Sequence, residues 1–225
     1  MFVIVTLLAF TCGYLTWKAN ILLEQNQIIL DLQRLGASVT FEHTLNVPPP
    51  VPTPGPEFLK RLLGEYAFSQ VDQIRLSGED VTDETLIRVA MVSRPASLIL
   101  SSDRITDRGL AHLAELRELR ALEVQSRNTT AAGYKQLRGM KLSSLILRRN
   151  NRTSGDVDDS WMPEIAALTQ VRYLSLQGTQ ITDAGLAHLH HSKELRRLFL
   201  ADTKVTAKGV EAFKSACPQC VVKWP

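Results

Sequence analysis

From Val71 to Trp224 the chain repeats one short figure, a hydrophobic-x-hydrophobic pair set between polar residues. The pairs are Ile74/Leu76, Leu98/Leu100, Leu122/Val124, Leu145/Leu147, Leu174/Leu176, Leu198/Leu200 and Val222/Trp224, with second members 24, 24, 23, 29, 24 and 24 residues apart. A further apolar position follows most pairs after five residues, at Val81, Ile105, Ile181 and Val205, with Thr129 as a weaker version. Helical spacing then begins, in Leu110, Leu113, Leu116 and Leu119 or in Leu186, Leu189 and Leu195. A pair with apolar residues two apart makes a very short strand, and the segment behind it returns as a helix. Neither element can bury its face alone, so the units must stack into a parallel sheet backed by helices.

These residues carry a resemblance. "LSLQGTQITDAGLAHL" (Leu174–Leu189) and its counterpart "ITDRGLAHL" (Ile105–Leu113) resemble the leucine-rich repeat, in particular the ribonuclease-inhibitor-like class and bacterial membrane-anchored proteins. The resemblance covers Val71 to Trp224 and implies an α/β solenoid of about six repeats, with short parallel strands on a concave face and helices on the convex one. Two units depart from the pattern. The third has Ala131 where Asp is expected, and the fourth carries about five extra residues in "RRNNRTSGDVDDSWM", which predicts a protruding loop.

Upstream of the repeats the pattern changes. "MFVIVTLLAFTCGYLTW" carries no charged side chain before Lys18, and an apolar run of this length predicts an N-terminal transmembrane helix over residues 1–23. A cleaved signal peptide and a buried helix are the alternatives; no basic n-region and no small-x-small cleavage site favour the former. The expected localisation is therefore membrane, single-pass, with Lys18 too isolated to set the topology. Residues 24–46 read as a juxtamembrane helix stopped by Gly36 and followed by a short extended piece, and 47–56 as a proline-rich linker in polyproline II. Residues 57–70 read as an N-terminal helical cap, and 71–225 as the repeat domain.

Charge and candidate chemistry narrow the function. A net charge of +3 with sparse aromatics gives no dense basic face, so no nucleic-acid partner is expected. The Asp of Thr82-Asp83, Thr106-Asp107 and Thr182-Asp183 stands before a helix each time, which reads as capping rather than catalysis. Thr206-Ala207 keeps the Thr and drops the Asp. His112 and His188 recur at one helix position, and His190 and His191 add no third metal ligand. Asp156, Asp158 and Asp159 resemble part of a calcium loop but lack the rest of an EF-hand. Cys217 and Cys220 have the spacing of redox and zinc motifs, without a second pair to complete a zinc site. The resemblance offers a cap turn instead. No nucleophile–base pair, phosphate loop or dinucleotide fingerprint is present in a fitting context.

The expectation is thus a membrane-anchored, non-enzymatic protein-interaction module without cofactor or metal, binding a protein partner through the concave face. Side chains alternate along each strand, so the concave positions are Arg75, Ile99, Glu123, Ile146, Arg148, Tyr173, Ser175, Phe199 and Lys223, flanked by residues such as Gln73 and Arg197. Apolar residues among polar ones on such a face are how interaction surfaces look. The alternatives are a thiol-redox or metal-binding protein using the Cys217/Cys220 pair, and the recognition subunit of a ubiquitin-type ligase.

Overall fold

The computed structural model describes residues 2–41, 55–64, 66, 71–92, 95–148 and 157–224, with side chains from residue 16 onward, Val92 excepted. Its centre is an eight-stranded sheet in the order β1-β2-β3-β4-β5-β6-β7-β8. The strands are β1 (Ser38–Phe41), β2 (Val71–Ser77), β3 (Ser97–Ser101), β4 (Ala121–Gln125), β5 (Ser144–Leu147), β6 (Tyr173–Ser175), β7 (Arg197–Phe199) and β8 (Val221–Lys223). Those from β2 to β8 are parallel. Their register turns the repeat into columns. Ile74, Leu98, Leu122, Leu145, Leu174, Leu198 and Val222 are successive partners. Leu76, Leu100, Val124 and Leu147 form a second column. Both columns face inward and, apart from half-buried Val222, all these leucines, isoleucines and valines are buried.

The helices behind the sheet are α3 (Asp83–Val92), α4 (Asp107–Leu113), α5 (Ala131–Lys135), α6 (Met162–Ala166), α7 (Asp183–Ala187) and α8 (Ala207–Ala216). They stack in chain order and enclose one continuous core with the sheet. The fourth unit absorbs its extra residues before Val157. The carbonyl of Val157 accepts from Gln180 N just as that of Ile181 accepts from Lys204 N, so Val157 holds the register of Ile181. The predicted protrusion at 149–156, including Arg149, Arg152 and Asp156, lies outside the described residues.

The N-terminal expectation is corrected. Helix α1 runs without interruption from Phe2 to Arg34, so nothing separates a segment ending at 23 from a juxtamembrane helix beginning at 24. Among the described residues no helix is long and apolar enough to cross a membrane, and the transmembrane helix and single-pass membrane localisation are withdrawn. The physical reason is visible in the sequence itself. The uncharged run ends at Lys18, short of the roughly 20 apolar residues a span needs, and Asn20, Glu24, Gln25, Asn26 and Gln27 follow at once. The far end of α1 is part of the repeat core instead: Ile29 and Leu32 have 0% exposure, and the helix packs beside α3.

With β1 pairing antiparallel to β2, α1 and β1 together form the first layer of the stack. They cover the edge of the sheet at β2. Among the described residues of 57–70, α2 (Glu57–Leu63) is helical, and it lies on α1. Tyr66 completes the contact by donating its backbone N–H to Asn26 Oδ1 (3.1 Å) and stacking on Phe41 at 5.0 Å. The proline-rich linker lies outside the described residues except for Gly55 and Pro56.

Consecutive units are tied by a device on the helix side. At the first helix start Thr82 N donates to Thr85 Oγ1, whereas four later Thr at helix starts accept from their own helix: Thr106 from Arg108 N, Thr130 from Ala132 N, Thr182 from Ala184 N and Thr206 from Gly209 N. The same hydroxyl donates backward to the Asp of the preceding unit, and that Asp takes the Thr backbone N–H as well. Asp83 holds Thr106 (N–Oδ1 2.8 Å, Oγ1–Oδ2 2.6 Å), Asp107 holds Thr130 (2.6 and 2.6 Å) and Asp183 holds Thr206 (2.8 and 2.6 Å). Asp159 holds Thr182 in the same way (2.8 and 2.5 Å). Thr is therefore the cap, as its position predicted. Asp is a clasp between units rather than a cap of its own.

The clasp explains the glycine that follows each Thr by three residues. A Cβ on Gly109, Gly133, Gly185 or Gly209 would lie 2.2, 2.4, 2.1 or 2.0 Å from an oxygen of the incoming carboxylate. Where no Asp arrives, the glycine is gone. Thr85 stands at that register in the first unit and Trp161 in the fourth, behind Ala131. The fourth unit also replaces its capping Thr by Asp158, which accepts from Ser160 N and Ser160 Oγ at 2.9 and 2.6 Å. A carboxylate cannot donate to another carboxylate, so an Asp at 131 would have faced an acceptor. Ala131, Asp158 and Trp161 are one compensated exception, and Trp161 packs on Tyr134 at 5.3 Å instead.

Candidate concave binding face

The strand alternation that buries the leucine columns sends two other columns to the open side of the sheet. One runs Arg75, Ile99, Glu123, Ile146, Ser175, Phe199, Lys223, and the other Gln73, Ser97, Ala121, Ser144, Tyr173, Arg197, Val221. The structure brings the expected residues onto one surface, with differing access. Arg75, Arg148 and Lys223 are exposed, and Ile99, Glu123, Ile146, Tyr173 and Phe199 are half-buried. Ser175 is the exception at 4% exposure, because its short side chain sits in the ladder between the larger Ile146 and Phe199. It is in no position to meet a partner.

The face is divided electrostatically. Glu123 lies 2.9 Å from Arg148, so those charges neutralise each other in the middle of the sheet. Ser101 donates to Gln125 Oε1 beside them at 3.1 Å. Toward the C-terminal strands the character changes to aromatic and cationic. The Tyr173 and Phe199 rings meet at 4.8 Å, Arg197 is the direct strand partner of Tyr173, and Lys223 that of Phe199. Val221 extends the patch with 57% exposure. It is the residue the sequence reading did not single out, although counting one repeat length on from Arg197 reaches it.

The remaining candidates do not assemble a reaction centre. Asp83 and His112 share a groove of about 330 Å³ with Thr82, Glu84, Ile87, Arg104 and Arg108, yet both Asp83 oxygens are taken by Thr106. Among the described residues no three His, Cys, Asp or Glu side chains gather in a metal-binding arrangement. Asp158 and Asp159 are accounted for as cap and clasp. Cys217 and Cys220 are free thiols buried in the turn that leads to β8. Burial pushes the Cys217 thiol up, and burial with the neighbouring Cys217 pushes Cys220 up to about 11. Both shifts oppose thiolate formation, which nucleophilic and metal-binding thiols need. The Cys217 Sγ instead rests 3.3 Å from the His190 carbonyl oxygen, a packing contact with the unit before it.

No family model and no curated protein matches the chain. Among solved structures it is similar to a leucine-rich-repeat protein of Leptospira interrogans, at 21% identity and a TM-score of 0.41, over 61% of this chain and 33% of that one. It is also similar to internalin C2 of Listeria monocytogenes, at 17% identity and a TM-score of 0.44, over 70% of each chain. The chain thus spans about a third of the Leptospira protein's length. The assignment itself rests on this molecule's own geometry: parallel strands in one register, helices behind them and a clasp repeated from unit to unit make this the leucine-rich-repeat fold.

Proposed function

We propose that the chain is a non-enzymatic protein-interaction module that captures its partner on the concave face of the repeats. The observation that supports this reading is the cluster of Ile146, Tyr173 and Phe199 on the open side of the sheet. Apolar and aromatic side chains concentrated at the centre of a surface are the usual anchors of protein recognition. The buried, hard-to-ionise cysteines speak against the thiol-redox and metal reading, and nothing in the fold favours a ligase subunit.

The test is a paired substitution, Ile146→Asp with Phe199→Asp, in the full chain. Both side chains point away from the core, so the circular dichroism spectrum and unfolding transition are expected to persist. Crosslinked partners recovered by the wild-type chain from native extract should be lost with the variant. Unchanged recovery by a folded variant rejects the concave-face reading.

A further inference from the structure

We infer that the concave face is built for an acidic protein segment, one in which Asp or Glu residues flank apolar or aromatic anchors. The inference rests on the concave-face reading and adds the chemistry of the partner. Across β6, β7 and β8 the outward residues form a checkerboard. Tyr173, Arg197 and Val221 run along one column, and Ser175, Phe199 and Lys223 along the next. Each aromatic residue therefore has a cationic residue as its direct partner on the following strand, the strands lying about 4.8 Å apart. An anchor seated on the rings places its sequence neighbours within reach of Arg197 and Lys223.

Charge balance on the face selects the sign of the partner. Glu123 is the one acidic residue in the outward columns of the described residues, and Arg148 already neutralises it at 2.9 Å. Arg75, Arg197 and Lys223 have no carboxylate partner among the described residues. An acidic segment meets unneutralised cations here, whereas a basic one would meet like charge at Arg75, Arg197 and Lys223. A nucleic acid is a poor fit, because its affinity grows with the number of phosphates neutralised and the checkerboard supplies two cations.

The test uses the full chain and three labelled twelve-residue peptides that carry the same two Phe anchors in flanks of Glu, Ser or Lys. A single-stranded oligonucleotide forms a fourth arm, and binding is read by fluorescence anisotropy. The acidic peptide should bind about tenfold more tightly than the neutral one, and the preference should shrink as salt rises from about 0.05 to about 0.5 M. Arg197→Glu with Lys223→Glu should reverse the order of the Glu- and Lys-flanked peptides, and Lys214→Glu on α8 should not. Equal binding of the three peptides that is still abolished by Ile146→Asp with Phe199→Asp overturns the acidic specificity and leaves the concave-face reading standing. Binding indifferent to both double variants overturns both. Tighter binding of the oligonucleotide than of the acidic peptide, or no binding of any peptide, also overturns the inference.

Discussion

A glycine inside a helix ordinarily weakens it, and replacing it with alanine gains about 0.8–1 kcal/mol. Gly109 in α4 should do the reverse, and the reason is the carboxylate of the unit before it. A Cβ there would stand 2.2 Å from Asp83 Oδ1, far inside contact distance, while the next side chain, the buried Leu86, has its Cδ1 at 3.0 Å. Gly109→Ala must therefore push the carboxylate out and break the bonds that Asp83 accepts from Thr106 N and Oγ1. Loss of two partly buried, charge-assisted hydrogen bonds, partly replaced by water, costs about 1–3 kcal/mol. The net effect of Gly109→Ala is then a loss of about 0–2 kcal/mol, against the propensity gain. In an Asp83→Ala background the carboxylate is gone and only Leu86 Cδ1 must give by a few tenths of an ångström, so the same substitution should be less costly than in wild type and stabilise by at most about 1 kcal/mol. The assay is denaturant unfolding of wild type, both single variants and the double variant, read as a double-mutant cycle. If Gly109→Ala has the same effect in both backgrounds, the clasp is not why the glycine is there.

Two further outcomes are expected. Leu32→Ala should cost about 2–5 kcal/mol in the same unfolding assay, because Leu32 is fully buried between α1 and the first repeat; an unchanged midpoint would detach α1 from the fold. The Thr206 hydroxyl, and after it the Thr206 backbone N–H, hold the Asp183 carboxyl below its ordinary value of 3.8. A depressed carboxyl stabilises the folded state above that ordinary value and loses its contribution as pH falls through and below it. Thermal midpoints of wild type should therefore fall more steeply in acid than those of Asp183→Ala, and parallel curves would refute the assignment.

How much of this was legible beforehand follows from what each signal encodes. The apolar pairs at Ile74/Leu76 through Leu198/Leu200 report burial, and burial in a stacked array is local and periodic, so spacing alone reveals strands, register and the open face. The cap role of Thr106, Thr182 and Thr206 was equally readable, because a cap acts within its own turn. The clasp was not. Asp83 and Thr106 are 23 residues apart, and their pairing exists only when neighbouring units stack. The same holds for the link between Ala131, Asp158 and Trp161, which exists only between stacked units.

The N-terminal segment shows the limit most plainly. An apolar run ending at Lys18 suggests a membrane helix but is too short for a span, and composition does not say what the rest of the helix packs on. Tertiary structure decided that for the far end of α1, by burying Ile29 and Leu32 and placing β1 against β2. Ser175 makes the same point on the open face, since alternation gave its direction but the size of its ladder neighbours settled its access. By itself the sequence determined the repeat, the hand of each side chain on the strand and therefore the face that could bind. What only the tertiary structure decided was which residues of distant units touch, because contact between stacked layers depends on the shape of both partners and not on the pattern within either one.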